Sequence, residues 1–136
     1  MQLTFIRRDF NFQSGATTAS KSIINALVSN YDVTVYCDRE SGCDVEGVNF
    51  VLAKKINSTR ARSLKAFVNQ VLRYISTKEG YVHSHEFIPG SDVIRLGDGL
   101  HSDWLNARLY PRLLRVLDPF HRYKLWLERK TLQHKD

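Results

Sequence analysis

Short β-type runs alternate with segments of helical spacing, and that alternation is the strongest constraint on the fold. LTFIR, Leu3 to Arg7, reads as a buried strand. A polar loop follows, RDFNFQSGATTAS, which contains Gly15. Ile23, Ile24, Leu27 and Val28 then recur as one face of a helix does. YDVTVYC and GVNFVLA are β runs. Between Ile56 and Ser76, the apolar residues Leu64, Phe67, Val68, Val71, Leu72 and Ile75 fall at spacings of three and four. This is the clearest amphipathic helix in the chain, and Asn57 or Ser58 can cap its start. GYVHSH and SDVIRLG are two further short strands. The order β-α-β-β-α-β-β, followed by helix, predicts an α/β fold: a Rossmann-like, mostly parallel sheet with flanking helices. Ligands of such sheets collect beyond the C-terminal ends of the strands. The loops after Arg7, His85 and Leu96 are therefore the places to look.

The chain has 136 residues, the length of one domain. A chain of that size buries roughly two-thirds of the surface it exposes when unfolded. No apolar run approaches the length of a membrane-spanning helix. The start, MQLTFIRRDF, has its charges after a short apolar patch and does not have the form of a signal peptide. A cytoplasmic protein is expected. Cys37 and Cys43 form no C-x-x-C pair and read as reduced thiols.

Three stretches could carry chemistry. In FQSGATTAS, Gly15 lets backbone amides approach a phosphate at a helix start, and Thr17 and Thr18 add hydroxyls; a plain turn has the same composition. The stretch has neither the G-x-G-x-x-G nor the Walker pattern. In HSHE, His83 and His85 share one face of a strand, as zinc ligands can, but no third ligand of suitable spacing follows. Packed histidines at a strand end are the expectation, with no metal and no cofactor. In VIRLGDGLHSDWL, Gly97 and Gly99 permit a sharp turn. Asp98 could accept a hydrogen bond from a sugar hydroxyl or act as a base. His101 could do either, or hold a phosphate when protonated. A Gly-Asp-Gly turn in which Asp98 only bonds local amides would read identically.

The net charge of +6 is unevenly placed. From Trp104 onward there are eight Lys or Arg (Arg108, Arg112, Arg115, Arg122, Lys124, Arg129, Lys130 and Lys135) against three acids. Asp118-Pro119 is a helix start, and Pro111 begins another short helix. Leu105, Leu109, Leu113, Val116, Leu117 and Phe120 are expected to form one apolar stripe. Trp104, Tyr110, Phe120, Tyr123 and Trp126 are interleaved with the basic residues, a pattern suited to an anionic membrane surface. A solvated helix face fits as well. A nucleic-acid surface has no recognition motif to support it, and no nucleic-acid partner is expected.

These residues together resemble the N-terminal half of a retaining glycosyltransferase of the GT-B fold, in particular the enzymes that build the lipopolysaccharide core. The chain opens on a strand and an aromatic-rich loop holding Gly15. PGSDVIRLGDG resembles that family's Pro-Gly, Asp-Val and strand ending in an acidic residue, here Asp98. RVLDPFHRYKLWLERKTL resembles its basic aromatic helix leading to a Glu-Arg pair, here Glu128 and Arg129. The resemblance implies an acceptor-side domain over residues 1–136, with Gly15 and Thr17 near the nucleotide-sugar donor. It implies Asp98 and His101 at the reacting sugars. Arg108, Arg112, Arg115, Arg122, Lys124 and Trp126 would meet a phosphorylated glycan, a lipopolysaccharide acceptor or the inner face of the inner membrane. The family's donor-binding domain, with its paired glutamates, has no counterpart in this sequence. The implication is a fragment, a truncated gene product or half of a split enzyme, which transfers nothing alone.

Overall fold

The computed structural model describes residues 1–11, 15–41, 45–109 and 111–133. In chain order the elements are β1 (Gln2–Ile6), β2 (Asp9–Asn11), α1 (Gly15–Leu27), β3 (Asp32–Cys37), β4 (Arg39–Ser41), β5 (Val48–Leu52) and α2 (Arg60–Ser76). Then come β6 (Tyr81–Ser84), β7 (Val93–Ile94), α3 (His101–Ala107), α4 (Arg112–Leu117) and α5 (Pro119–Leu132). Five strands form one sheet in the order β5-β3-β1-β6-β7, and every pairing is parallel. The expected α/β class and parallel sheet are present. The chain moves outward from β1 through β3 to β5, then returns to the other side of β1 for β6 and β7. That reversal makes a topological switch point between β1 and β6, where two loops diverge and leave a crevice.

Side-chain alternation along the strands builds a core on each face of the sheet. Phe5, Val33, Val35 and Cys37 pack with Ile24, Phe10 and Val45 on the α1 side. Ile6 and Tyr36 pack with Leu64, Phe67, Val68, Val71, Ile88 and Leu127 on the α2 and α5 side. The buried residues of α2, Leu64, Phe67, Val68 and Val71, belong to the periodic set read from the sequence. Cys37 is buried; Cys43 lies outside the described residues.

Several local expectations need correction. The cap of α2 is Thr59, not Asn57 or Ser58: its Oγ1 accepts from the Arg62 amide at 3.4 Å. The segment read as a polar loop after the first strand contains β2, which pairs with β4 in a second, parallel two-stranded sheet. Phe10 drives this, being fully buried with its ring edge-on to Phe50. β7 ends at Ile94, so Asp98 stands four residues beyond the strand, not at its end.

The predicted apolar stripe of the tail does not exist as one face. Leu109 takes a left-handed backbone conformation (φ 49°), which stops α3, and Pro111 follows it. The stripe is divided among three helices. Leu105 is buried, whereas Leu113 (70%), Val116 (63%) and Leu117 (63%) are exposed on α4. The helix start at Asp118-Pro119 is as expected, with the Asp118 carboxylate accepting from the Phe120 amide at 2.8 Å. No helix among the described residues is long and apolar enough to cross a membrane.

Gly80 gives a direct test of how β6 enters the sheet. Its φ is +109°, and a Cβ there would collide with the backbone carbonyl of Gln2. Gly80→Ala is expected to cost about 2 kcal/mol from the backbone conformation and the displaced strand. The readout is the urea midpoint; an unchanged midpoint would mean that β6 does not approach β1 in this way.

Candidate functional site

Two cavities open at the C-terminal edge of the sheet, one on each side of the switch point. The smaller, about 220 Å³, is lined by Arg7, Gly15, Ala19, His85, Arg95, Gly97 and Asp98. The larger, about 270 Å³, lies towards α2 and α5. His85, Arg95 and Asp98 belong to the walls of both.

Arg7 follows β1, and His85 follows β6; β1 and β6 are neighbours, so the two side chains meet. Arg7 Nη1 lies 3.2 Å from His85 Nδ1 and donates to Ser20 Oγ at 3.3 Å. Ser20 Oγ is in turn 3.1 Å from His85 Nδ1. A guanidinium can only donate, so Nδ1 must offer its lone pair and Nε2 must carry the proton. Nε2 is buried and has no hydrogen-bond partner among the described residues. Burial, with His83, Arg7 and Arg95 nearby, lowers the His85 pKa to about 4. The ring is therefore neutral at pH 7, and it holds an unmet donor between the cavities. His83 shares its face, the ring centroids standing 5.3 Å apart, and both rest on Phe5. Burial, then Arg95, lowers the His83 pKa.

Gly97-Asp98-Gly99 is a turn, closed by a hydrogen bond from the Gly99 amide to the Leu96 carbonyl at 3.2 Å, with Gly99 at φ +72°. The Asp98 carboxylate makes no hydrogen bond or ion pair within the described residues. It is exposed and free to accept from a ligand hydroxyl. Gly15 begins α1 on the wall of the smaller cavity, and a Cβ added there would meet nothing within 4 Å among the described residues. Packing among the described residues therefore gives no reason for glycine at this position. The positive end of α1, Arg7 and Arg95 make the smaller cavity favourable to an anion. Thr17 is buried in α1 and is not part of the cavity wall.

His101 opens α3 and is buried against α5. Its amide donates to Glu128 Oε2 at 2.6 Å, and its Nε2 lies 3.0 Å from His121 Nδ1. The ring stacks on Trp104, with centroids 5.7 Å apart. Burial, reinforced by Lys124 and His121 against the opposing pull of Glu128, lowers its pKa to about 4. His101 and Asp98 share the larger cavity. Among the described residues, no cluster of three or more His, Cys, Asp or Glu could hold a metal ion.

The basic tail does not converge on one place. Lys124 lines the larger cavity. Arg115 is held by Asn106 Oδ1 at 2.7 Å and the Leu105 carbonyl at 3.0 Å, and so ties α4 to α3. Arg108 lies over the Trp104 ring at 4.5 Å. Arg112 and Arg122 are exposed, and Trp126 is exposed and stacked on Tyr123. Tyr110 and Lys135 lie outside the described residues. Sequence reading missed Arg7, Arg60, His85 and Arg95 as cavity residues. His85 is visible in HSHE, where its spacing from His83 suggests a packed histidine before it suggests a ligand contact. Arg95 was visible as a charge inside the apolar run SDVIRLG.

No protein-family model matches the chain, and no curated protein matches it by sequence. Among solved structures, the chain is similar in fold to WaaG, a glycosyltransferase involved in lipopolysaccharide biosynthesis. The TM-score is 0.81 at 17% sequence identity, covering 94% of this chain and 35% of WaaG. The likeness is one of fold, and this chain spans about a third of the WaaG chain.

Proposed function

We propose that this chain is the acceptor-side part of a glycosyltransferase that moves a sugar from a nucleotide-sugar to a lipopolysaccharide or another glycan or glycolipid acceptor. The observation that carries the reading is the free Asp98 carboxylate, set with His85 and Arg95 on the wall between two cavities at the switch point. In this reading the smaller cavity faces the donor, whose phosphates suit Arg7, Arg95 and the start of α1. The larger cavity takes the acceptor. Asp98 accepts a hydrogen bond from the acceptor hydroxyl, and His85 Nε2–H donates to a sugar oxygen. Fixed dipoles and charges of this kind act by placing two sugars and stabilising charge in the transition state. No cofactor is assigned.

The chain alone is expected to bind acceptor glycan and to transfer no sugar, because the nucleotide pocket would belong to a second domain. Titration of a lipopolysaccharide-core oligosaccharide, followed by amide NMR, tests this. Shifts should cluster at Gly97, Asp98, Gly99 and His85, and Asp98→Ala should weaken binding about tenfold, the loss of one hydrogen bond to a charged group. Binding unaffected by Asp98→Ala would remove Asp98 from the site.

A second reading has its own support. Leu113, Val116 and Leu117 are exposed on α4 beside Arg112, and Trp126 is exposed on α5. This is the composition of a surface that lies on an anionic bilayer. A peripheral position at the cytoplasmic face of the inner membrane is compatible with the transferase reading. Sedimentation with anionic vesicles, lost at high salt, is the expected result.

A further inference from the structure

We propose that the larger cavity binds a phosphorylated sugar, with the phosphate held by Arg60 and Lys124. This rests on the acceptor-site reading above and adds the chemical class of the group recognised. The floor is apolar, made by Leu64, Phe67, Val68 and Leu127. Such a floor suits the carbon face of a sugar ring, while a few placed polar groups fix its orientation. Asp98 and His85 supply those groups on the sheet side of the same cavity.

The cations decide the class. Arg60 begins α2 and Lys124 lies on α5, and both line this cavity. They lean on the same ring: Arg60 Cζ is 4.2 Å and Lys124 Nζ is 5.5 Å from the Phe120 centroid. Neither forms a hydrogen bond or ion pair among the described residues. Two unpaired cations held by one aromatic ring favour an anion. Arg presents a planar fork that matches phosphate oxygens, and Lys adds a point charge. A neutral sugar would engage neither cation, and an acyl chain would engage neither Asp98 nor His85. A sugar carrying one phosphate uses both sets of groups.

The test uses the full chain and three probes, followed by calorimetry and amide NMR: glucose, glucose 6-phosphate and inorganic phosphate. Glucose 6-phosphate should bind about tenfold more tightly than either of the others, as expected for charge-assisted hydrogen bonds. Arg60→Gln or Lys124→Gln should bring it to the level of glucose, whereas Arg73→Gln, at the far end of α2, should change nothing. Asp98→Ala should weaken both sugars alike. Arg60 is exposed, so Arg60→Gln should keep its urea midpoint.

Equal, Asp98-dependent binding of glucose and glucose 6-phosphate would overturn the phosphate assignment and leave the acceptor-site reading intact. Failure of every sugar to bind would overturn both. Inorganic phosphate binding as tightly as glucose 6-phosphate would overturn the sugar part. Vesicles of phosphatidylglycerol that bind through Arg60 and Lys124, with no binding of glucose 6-phosphate, would assign the cations to a lipid headgroup and overturn the proposal.

Discussion

Glu128→Ala is expected to lower stability by about 4 kcal/mol, a large fraction of what a domain of this size possesses. Glu128 is a buried carboxylate on α5, and its oxygens serve the start of a different helix. Oε2 accepts from the His101 amide at 2.6 Å and the Ser102 amide at 3.2 Å; Oε1 accepts from Ser102 Oγ at 2.6 Å. The local cap position of α3 is Leu100, which has no side-chain acceptor. The first turn of α3 therefore depends on a residue 27 positions away for its free amides. Alanine leaves the buried His101 amide and the half-buried Ser102 donors without this partner, and the cost is set by desolvation of the donors more than by the bonds themselves.

A helix of seven residues has little stability of its own. The variant should therefore show more than a lower urea midpoint. Amide exchange at His101 and Ser102 should rise further than exchange in the sheet. Glu128→Gln keeps an acceptor oxygen but turns an NH2 towards donors, and should cost about 2 kcal/mol. His101 and Trp104 wall the larger cavity, so ligand binding there should weaken together with α3. A midpoint unchanged by Glu128→Ala would show that α3 is held by its apolar contacts alone.

The α/β class was legible because the periodic signals are local. Val33, Val35 and Cys37 alternate within one strand, and Leu64, Phe67, Val68 and Val71 repeat within one helix. The loops at the switch point followed from the order of elements, and Gly15 and Asp98 do lie on one cavity wall. The pairing of Glu128 with α3 could not be read, since the donors and the acceptor belong to separate helices and no local pattern connects them. β2 and β4 are three residues each, too short for a period to register. The tail misled for a related reason. Its leucines are spaced as one stripe, but the left-handed turn at Leu109 sets α4 apart from α3 and leaves its apolar residues outside. Arg60 gave no signal in sequence, because it matters only where α2 and α5 meet over Phe120.

Stability should fall steeply as pH drops from about 6.5 towards 4, through His85 and His101. Each has a folded pKa lowered to about 4 from an ordinary 6.5. Burial is the largest cause for both; His83, Arg7 and Arg95 add to it at His85, and Lys124 and His121 at His101. Between the two values the unfolded chain carries these protons and the folded protein does not. The unfolded state then binds more protons, so stability rises with pH across the window and is lost on acidification. Each proton taken up on unfolding contributes up to about 1.4 kcal/mol per pH unit. His83, lowered in the same direction, adds to the slope. Glu86 opposes it. Burial raises the Glu86 pKa, although the Arg8 amide and nearby Lys124, Arg7 and Arg8 pull the other way. Its folded form therefore keeps a proton above pH 4.5 that the unfolded chain has released. Two imidazoles against one carboxyl leave a net positive slope, with the greatest stability above pH 6.5. Urea midpoints at pH 7, 6, 5 and 4.5 should fall in that order. His85→Gln and His101→Gln should each flatten the curve by close to one proton, whatever they do to the midpoint at pH 7. A flat profile in the unsubstituted protein would overturn the assignment, since one carboxyl cannot offset two imidazoles. A slope that survives both substitutions would place the titration elsewhere in the chain.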